Sequence, residues 1–376
     1  MIPNQRHLFD IPADIVYLNC ASQSPLLKSV CRTGEAGVMR KAHPWTDFRE
    51  RTAAEGEQLR GLFAQLIGAT EDDIAIVPAT SYGVSVAARN LPMKAGQRLV
   101  TLEHQFPSNF HAWRLSAARD GAEHVQVARP PDGDWTRAVL DAIDGETAVV
   151  ALPPCHWMDG SAIGLEKVGE KCRAVGAAFV IDATQAVAAM PVDVARLQPD
   201  FLMASSYKWQ LCPYTLCFLY ASPHRQEGRP IEFHEWAVSA MEARASDRDT
   251  VAQPKGARRF DMGERNNPIN LPMAIAALQQ VLDWGPAEIA ATLKPLTDRV
   301  AAHAQERGYA VPPAEHRVGH YIGMRLPGGP PEEATEKLAA KKVHVSVRGD
   351  AIRVSPYLFN TVEDIDRFFT ALDEIV

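Results

Sequence analysis

The chain has 376 residues, of which 46% are hydrophobic and 23% charged, and a formal charge of −7, the proportions of an ordinary globular protein. That length predicts two or three domains, or one large domain with a smaller one attached. The mild acidic balance, without any dense Lys/Arg block, argues against nucleic acid or a membrane surface as partner, and no apolar run is long enough to span a bilayer.

The N-terminal residues lack a basic region followed by an apolar core, so no secretory signal is visible and the expected location is the cytoplasm. Residues 15–18 (IVYL) form a predicted short strand, and the polar turn Asn19 to Pro25 after it is either substrate-lining or an ordinary surface turn. Residues 26–66 repeat apolar side chains at helical spacing, with an interruption at His43-Pro44. Residues 74–77 (IAIV) are a buried strand, followed by Pro78-Ala79-Thr80-Ser81-Tyr82-Gly83 and a helix over 84–91. A hydroxyl-rich turn opening a helix suits a phosphate, although Thr80 or Ser81 as a plain N-cap explains it too.

Further strands are predicted at 98–102, ending in Glu103-His104-Gln105, at 124–127, and at 149–152, running into Pro153-Pro154-Cys155-His156-Trp157-Met158-Asp159-Gly160. A helix over 165–175 precedes the strand 178–181, which ends in Asp182 and the polar pair Thr184 and Gln185. The strand 201–204 then runs into Ser205-Ser206-Tyr207-Lys208, and another apolar run covers 216–220. This alternation predicts an α/β fold, a mostly parallel sheet flanked by helices, with ligands bound at the carboxyl ends of its strands.

Residues 225–249 are charge-rich and carry His234 and Trp236, and 256–263 read as a loop or short strand. A helix over 271–284 stops at Gly285-Pro286. Beyond it come a helix over 288–307 kinked at Pro295, a strand at 321–326, a helix at 332–341, strands at 343–347 and 351–355, and a last helix at 362–375. This is the pattern of a smaller α+β unit with an antiparallel sheet. The expected organisation is a large domain over 26–284 and a small C-terminal domain over 285–376, which the segment 1–25 joins. The six cysteines (Cys20, Cys31, Cys155, Cys172, Cys212, Cys217) form no C-x-x-C pair, and Cys155-His156 lacks the spaced partners of a metal site. They read as reduced, mostly buried thiols, and no metal is expected.

Together the strand ends bring a hydroxyl-rich turn, a histidine, an aromatic loop, an aspartate and a lysine to one edge. Pyridoxal phosphate needs that set: an amine for its aldehyde, an acid for its ring nitrogen, donors for its phosphate and a flat partner for its ring. Singly, Lys208 reads as a snorkelling surface lysine, Asp182 as a helix cap and His104 as a core histidine. Asp182-Ala183-Thr184-Gln185 followed by Asp200-Phe201 and Ser205-Ser206-Tyr207-Lys208 resembles the class V aminotransferase family of fold-type I pyridoxal phosphate enzymes, over nearly the whole chain. That family includes cysteine desulfurases, kynureninases and isopenicillin epimerases.

The resemblance implies pyridoxal 5'-phosphate as cofactor, with Lys208 as the Schiff-base lysine and proton shuttle at the substrate Cα. It implies Asp182 on the ring nitrogen, Gln185 on the phenolic oxygen, His104 stacked on the ring, and Thr80, Ser81 and Ser205 on the phosphate. Tyr207 stands where many members have histidine and resembles the kynureninases. Arg353 matches the arginine that grips the substrate α-carboxylate; without the resemblance it would read as an exposed strand arginine. Trp157 stands where asparagine is common, so the contact to the phenolic oxygen is expected to be either lost or replaced by its indole N–H. The loop 212–217 (CPYTLC) replaces the usual glycines, and Glu264 stands where relatives place a threonine that reaches the partner subunit's phosphate. A carboxylate repels phosphate, so the expectation is either that Arg265 or Asn266 takes that role or that Glu264 points elsewhere.

The resemblance further implies an amino acid as small-molecule substrate and a homodimer with the active site at its interface. Residues 343–348 (VHVSVR) contain no cysteine, so a persulfide-forming desulfurase is not expected. The leading expectation is an amino-acid transaminase. A carbon–sulfur or other β-lyase, a kynureninase-like hydrolase and an epimerase are the alternatives, since all share Cα deprotonation and fold alone does not separate them. A non-catalytic homologue that keeps the pocket is the reading from another class, and Lys208, Asp182 and Arg353 together argue against it.

Overall fold

The computed structural model describes residues 1–46, 48–234 and 254–376. Its centre is a seven-stranded sheet of β2 (Ile74–Val77), β3 (Arg98–Leu102), β4 (Glu123–Val127), β5 (Thr147–Leu152), β6 (Ala178–Asp182), β7 (Phe201–Ser205) and β8 (Cys217–Ala221). The order across the sheet is β2-β8-β7-β6-β5-β3-β4. Only β8 runs against its neighbours β2 and β7; the other pairings are parallel. Every residue of β6, β7 and β8 is buried, which is why these strands read as continuous apolar runs rather than as alternating ones.

Alternate side chains still serve different cores. Phe179, Ile181, Leu202 and Phe218 face one helical layer, in which Phe63 of α2 (Phe48–Ile67) stacks on Phe218 at 4.2 Å. Val180, Phe201, Met203 and Leu219 face the other, which includes Val84 and Ala87 of α3 (Thr80–Asn90) and Trp113 of α4 (His111–Asp120). The interruption at His43-Pro44 falls between α1 (Lys28–Lys41) and α2.

The chain continues through α8 (Asn270–Trp284) and α9 (Pro286–Glu306), which holds Pro295 inside it. Then β9 (Ile322–Met324), β11 (Ser346–Arg348) and β12 (Ala351–Val354) form an antiparallel sheet in the order β11-β12-β9. The N-terminal strand β1 (Val16–Tyr17) pairs with β10 (Val343–His344), and Val16 and Leu18 share a core with Ile352 and Phe368. Phe368 belongs to α11 (Val362–Asp373), whose start is closed by a Thr361/Asp364 capping box. Trp236 lies outside the described residues. Gly256–Phe260 is a 3-10 turn rather than a strand.

One buried ion pair ties the loop after that turn to the sheet. The Asp261 carboxylate accepts from both Arg60 Nη atoms (2.9 and 2.6 Å) and from the Ile76 N–H (2.8 Å), and Arg265 Nε lies 3.0 Å away. Arg60 and Asp261 are both shielded from solvent. Asp261→Ala removes the buried, two-pronged partner of the Arg60 guanidinium, leaving it only the half-exposed Glu57 carboxylate at 3.1 Å, and is expected to destabilise the fold by about 3 kcal/mol. Denaturant unfolding measures this, and a loss below about 1 kcal/mol would show that the pair is dispensable.

Candidate active site

The parallel strands deliver their carboxyl ends to one edge of the sheet, and a cavity of about 290 Å³ opens there. Lys208, three residues beyond β7, lines it with only 6% of its surface exposed. Its ammonium has no hydrogen bond or ion pair among the described residues and lies over the rings of Phe106 (5.4 Å) and Tyr207 (5.6 Å). Burial pushes its pKa down to about 8, helped by the charges of Arg353 and Arg348 and opposed by Asp182. Asp182, the last residue of β6, is buried in the same wall and accepts from the Thr184 N–H at 3.1 Å. Burial raises its carboxyl pKa, against the lowering effects of Thr184 and Lys208.

At another part of the cavity three hydroxyls meet. Thr80 Oγ1 lies 2.7 Å from Ser205 Oγ and 2.9 Å from Thr184 Oγ1, while the Thr80 N–H donates to Ser205 Oγ and the Ser205 N–H to Thr184 Oγ1. They stand at the start of α3, whose N-cap residue is Ala79 and makes no side-chain cap, and Ser81 lines the cavity beside them. Thr80 and Ser81 are therefore inside the helix rather than its caps. A helix N-terminus without a cap and ringed by hydroxyls attracts an anion.

This donor set fits pyridoxal phosphate. An unpaired buried amine, a buried carboxylate, an aromatic face and an anion cradle surround one cavity of suitable chemistry. The Aminotransferase class-V family matches residues 16–368. The chain belongs to the class V aminotransferase family. It is 27% identical to an uncharacterized aminotransferase, YcbU, of Bacillus subtilis (strain 168), over 100% of this chain and 97% of that protein. It is 24% identical to the isopenicillin N epimerase of Streptomyces clavuligerus, over 96% and 95%. The apo structure of a cysteine desulfurase from Thermococcus onnurineus NA1 superposes with a TM-score of 0.85 at 19% identity, covering 100% of this chain and 99% of that one. The chain is thus an enzyme of a pyridoxal 5'-phosphate family, with that family's α/β fold and cofactor.

Within that family frame, several expected contacts are rearranged. His104 is exposed and does not line the cavity; its backbone is left-handed (φ +52°) and its carbonyl accepts the Trp157 indole N–H at 2.8 Å. That turn sends Gln105 and Phe106 inward instead, and Phe106 lines the cavity with its ring edge-on to Trp157. Trp157 also lines the cavity, but the N–H expected to face the cofactor is already committed to His104. Gln185 gives one N–H to the Ala21 carbonyl and accepts from the Trp209 indole, both at 2.8 Å, leaving a single N–H for the cavity.

Tyr207 lines the cavity and stacks on Tyr214 (4.1 Å), itself 56% exposed. In the loop after Lys208, Leu211 and Thr215 both hold left-handed backbone (φ +56° and +60°), a region that strains any residue with a Cβ. Glu264 and Arg265 line a separate hollow of about 200 Å³ that shares Pro78 and Thr215 with the main cavity. Arg353 is 1% exposed rather than on the surface, and stands outside the lining side chains. It donates to the Trp157 carbonyl at 2.6 Å, its Nε has no partner, and no carboxylate pairs with it among the described residues. Thr184, in sequence only half of a polar pair, joins the site through its hydroxyl, and Phe106 joins it without a sequence signal. The signal for Thr184 is a hydroxyl two residues beyond a strand-end aspartate.

Proposed function

We propose that the chain is a lyase that cleaves the Cβ–S bond of a cysteine-derived α-amino acid. The observation that carries this reading is Lys208, buried and unpaired, as the sole amine or imidazole lining the cavity among the described residues. A single base that takes the Cα proton and returns it to the departing sulfur suits elimination. Inversion by the two-base route needs a second acid–base group on the opposite face. The expected transaminase is the less well supported of the two readings: the relatives named for a defined reaction are an epimerase and a cysteine desulfurase, and the one named an aminotransferase is uncharacterized. The absence of cysteine from residues 343–348 keeps the proposal apart from persulfide chemistry on the enzyme itself.

Pyridoxal phosphate, when bound, supplies the electron sink for the pair left at Cα. Lys208 holds the cofactor's aldehyde and moves the proton. Asp182 would hold the ring nitrogen, and Phe106, in place of His104, would supply the flat partner for the ring. Thr80, Ser81, Thr184, Ser205 and Tyr207 receive the phosphate, and the remaining Gln185 N–H is the donor for the phenolic oxygen. Arg353 binds the α-carboxylate, for which its unpaired Nε and lack of a carboxylate partner make it suited. A homodimer with the site at its interface is part of this reading, supported by exposed Val38, Met39 and Trp45 at the end of α1 and just beyond it. So is a cytoplasmic location.

The test is product analysis. Holoenzyme given S-methylcysteine should release pyruvate, ammonium and methanethiol together. Amino exchange with 2-oxo acids, or inversion at Cα, without pyruvate would refute the lyase reading.

The depressed amine predicts a pH dependence. Lys208 in the cofactor-free protein is half neutral near pH 8, against 10.5 for a free lysine. Attachment of pyridoxal phosphate needs the neutral amine, so its rate should rise as pH increases and reach half-maximum near pH 8. Between about 8 and 10.5 the unfolded chain keeps a proton that the folded chain has lost, so the apo fold also gains stability with pH across that window. Stopped-flow absorbance after mixing apoprotein with cofactor checks the first expectation; a rate still climbing steeply beyond pH 9.5, roughly, contradicts it.

A further inference from the structure

The substrate end of the site holds more positive charge than one carboxylate uses. In the β11–β12 hairpin, Ser346 pairs with Arg353 and Arg348 with Ala351. Paired residues of an antiparallel ladder share a face, and so do residues two apart on one strand. Arg348 and Arg353 are therefore diagonal neighbours on one face, with Cβ atoms about 7 Å apart. The opposite face, with Ile352 and Val354, packs into the small core. The arginine face is the one that looks to the cavity wall: Arg353 reaches the Trp157 carbonyl, and Gly323, paired with Arg353, leaves no room for a side chain against Asp159.

Arg348 is half-buried and its Nη2 donates to Ser22 Oγ at 2.9 Å. Two residues on, the Ser24 N–H donates to the carbonyl of Tyr207, the neighbour of Lys208. No carboxylate pairs with Arg348 among the described residues. Asp350 and Asp159 are taken by Arg325, and Asp159 also by Arg129. Lys208, Arg348 and Arg353 thus have no paired carboxylate among the described residues; each of the two arginines lowers the pKa of Lys208, and Asp182 opposes them. The α-carboxylate of an amino acid answers Arg353. Arg348 remains.

We infer that Arg348 is the counter-ion for a second acid on the substrate, so that the chain takes β-sulfur-substituted alanines whose sulfur substituent is itself anionic. This rests on the lyase reading above and specifies its substrate class. In the step, Lys208 takes the Cα proton and the Cβ–S bond breaks. The sulfur leaves with the bonding pair as a thiolate that is then protonated. Addition of one water releases the three-carbon remainder as pyruvate and ammonium, with no oxidant or reductant. A guanidinium beside the departing group holds its anionic arm and orients the C–S bond for cleavage.

The experiment uses two isosteric probes, S-carboxymethylcysteine and its neutral amide S-carbamoylmethylcysteine. Holoenzyme is titrated with each, following the visible absorption of the bound cofactor, and pyruvate is assayed in parallel. The acid should bind about tenfold or more tightly than the amide, with Arg348→Gln bringing the ratio to about one and Arg348→Lys keeping most of it. Equal binding of the two probes by the native protein, a preference that survives Arg348→Gln, or no spectral response to either probe would overturn the inference. A charge preference without pyruvate would leave Arg348 in its role and sink the lyase reading instead.

Discussion

Lys208→Ala is expected to lower turnover by about a thousandfold or more, the scale of losing both the covalent anchor and the acid–base group. Borohydride reduction should then trap no cofactor on the protein, whereas the native chain should be trapped at Lys208. The geometry gives the variant no substitute. Among the described residues no other amine or imidazole lines the cavity, and the residue's near-complete burial keeps bulk water from acting in its place. Lys208→Arg is the informative companion, because it keeps the charge that the site accommodates but cannot form the covalent link. Turnover by Lys208→Ala above about a tenth of native would refute the assignment, since a positioned base is worth far more than that.

Arg353→Met should separate function from stability. A buried guanidinium with no carboxylate partner among the described residues is costly to fold, and an apolar side chain of similar size removes that cost. The variant loses one hydrogen bond, to the Trp157 carbonyl. Unfolding stability is therefore expected to stay within about 1 kcal/mol of native or to rise. Meanwhile kcat/KM should fall by about a hundredfold, because truncating one side of a buried charge-assisted pair costs about 2–5 kcal/mol. The specific signature is loss of discrimination between an amino acid and its α-carboxamide. A variant that loses stability and keeps that discrimination would show Arg353 to be structural.

Much of this site follows from local pattern. Asp182 ends an apolar run and Lys208 follows another, and runs of that length in alternation with helices leave only the carboxyl edge of a parallel sheet for both groups. The hydroxyl turn at Thr80 and Ser81 is likewise a neighbour effect of strand, turn and helix. What stayed hidden depends on directions that no periodicity encodes. A positive φ at His104 turns the chain so that Phe106, not the histidine, faces inward. The Trp157 N–H is spent on a carbonyl 53 residues away, and a Gln185 N–H on one 164 residues away.

Arg353 shows the same limit from the other side. Without the resemblance it reads as an exposed strand arginine, but β12 is the central strand of its sheet, and Arg353 reaches the Trp157 carbonyl and is buried there. The sequence by itself therefore determined the sheet, the order of the elements and the residue types at its active edge, because apolar period and chain punctuation act over a few residues. Only the tertiary structure decided which aromatic faces the cavity, which donors remain free and where two arginines stand side by side. Those outcomes depend on hydrogen bonds and desolvation between segments distant along the chain, whose energies exist only once the parts are packed.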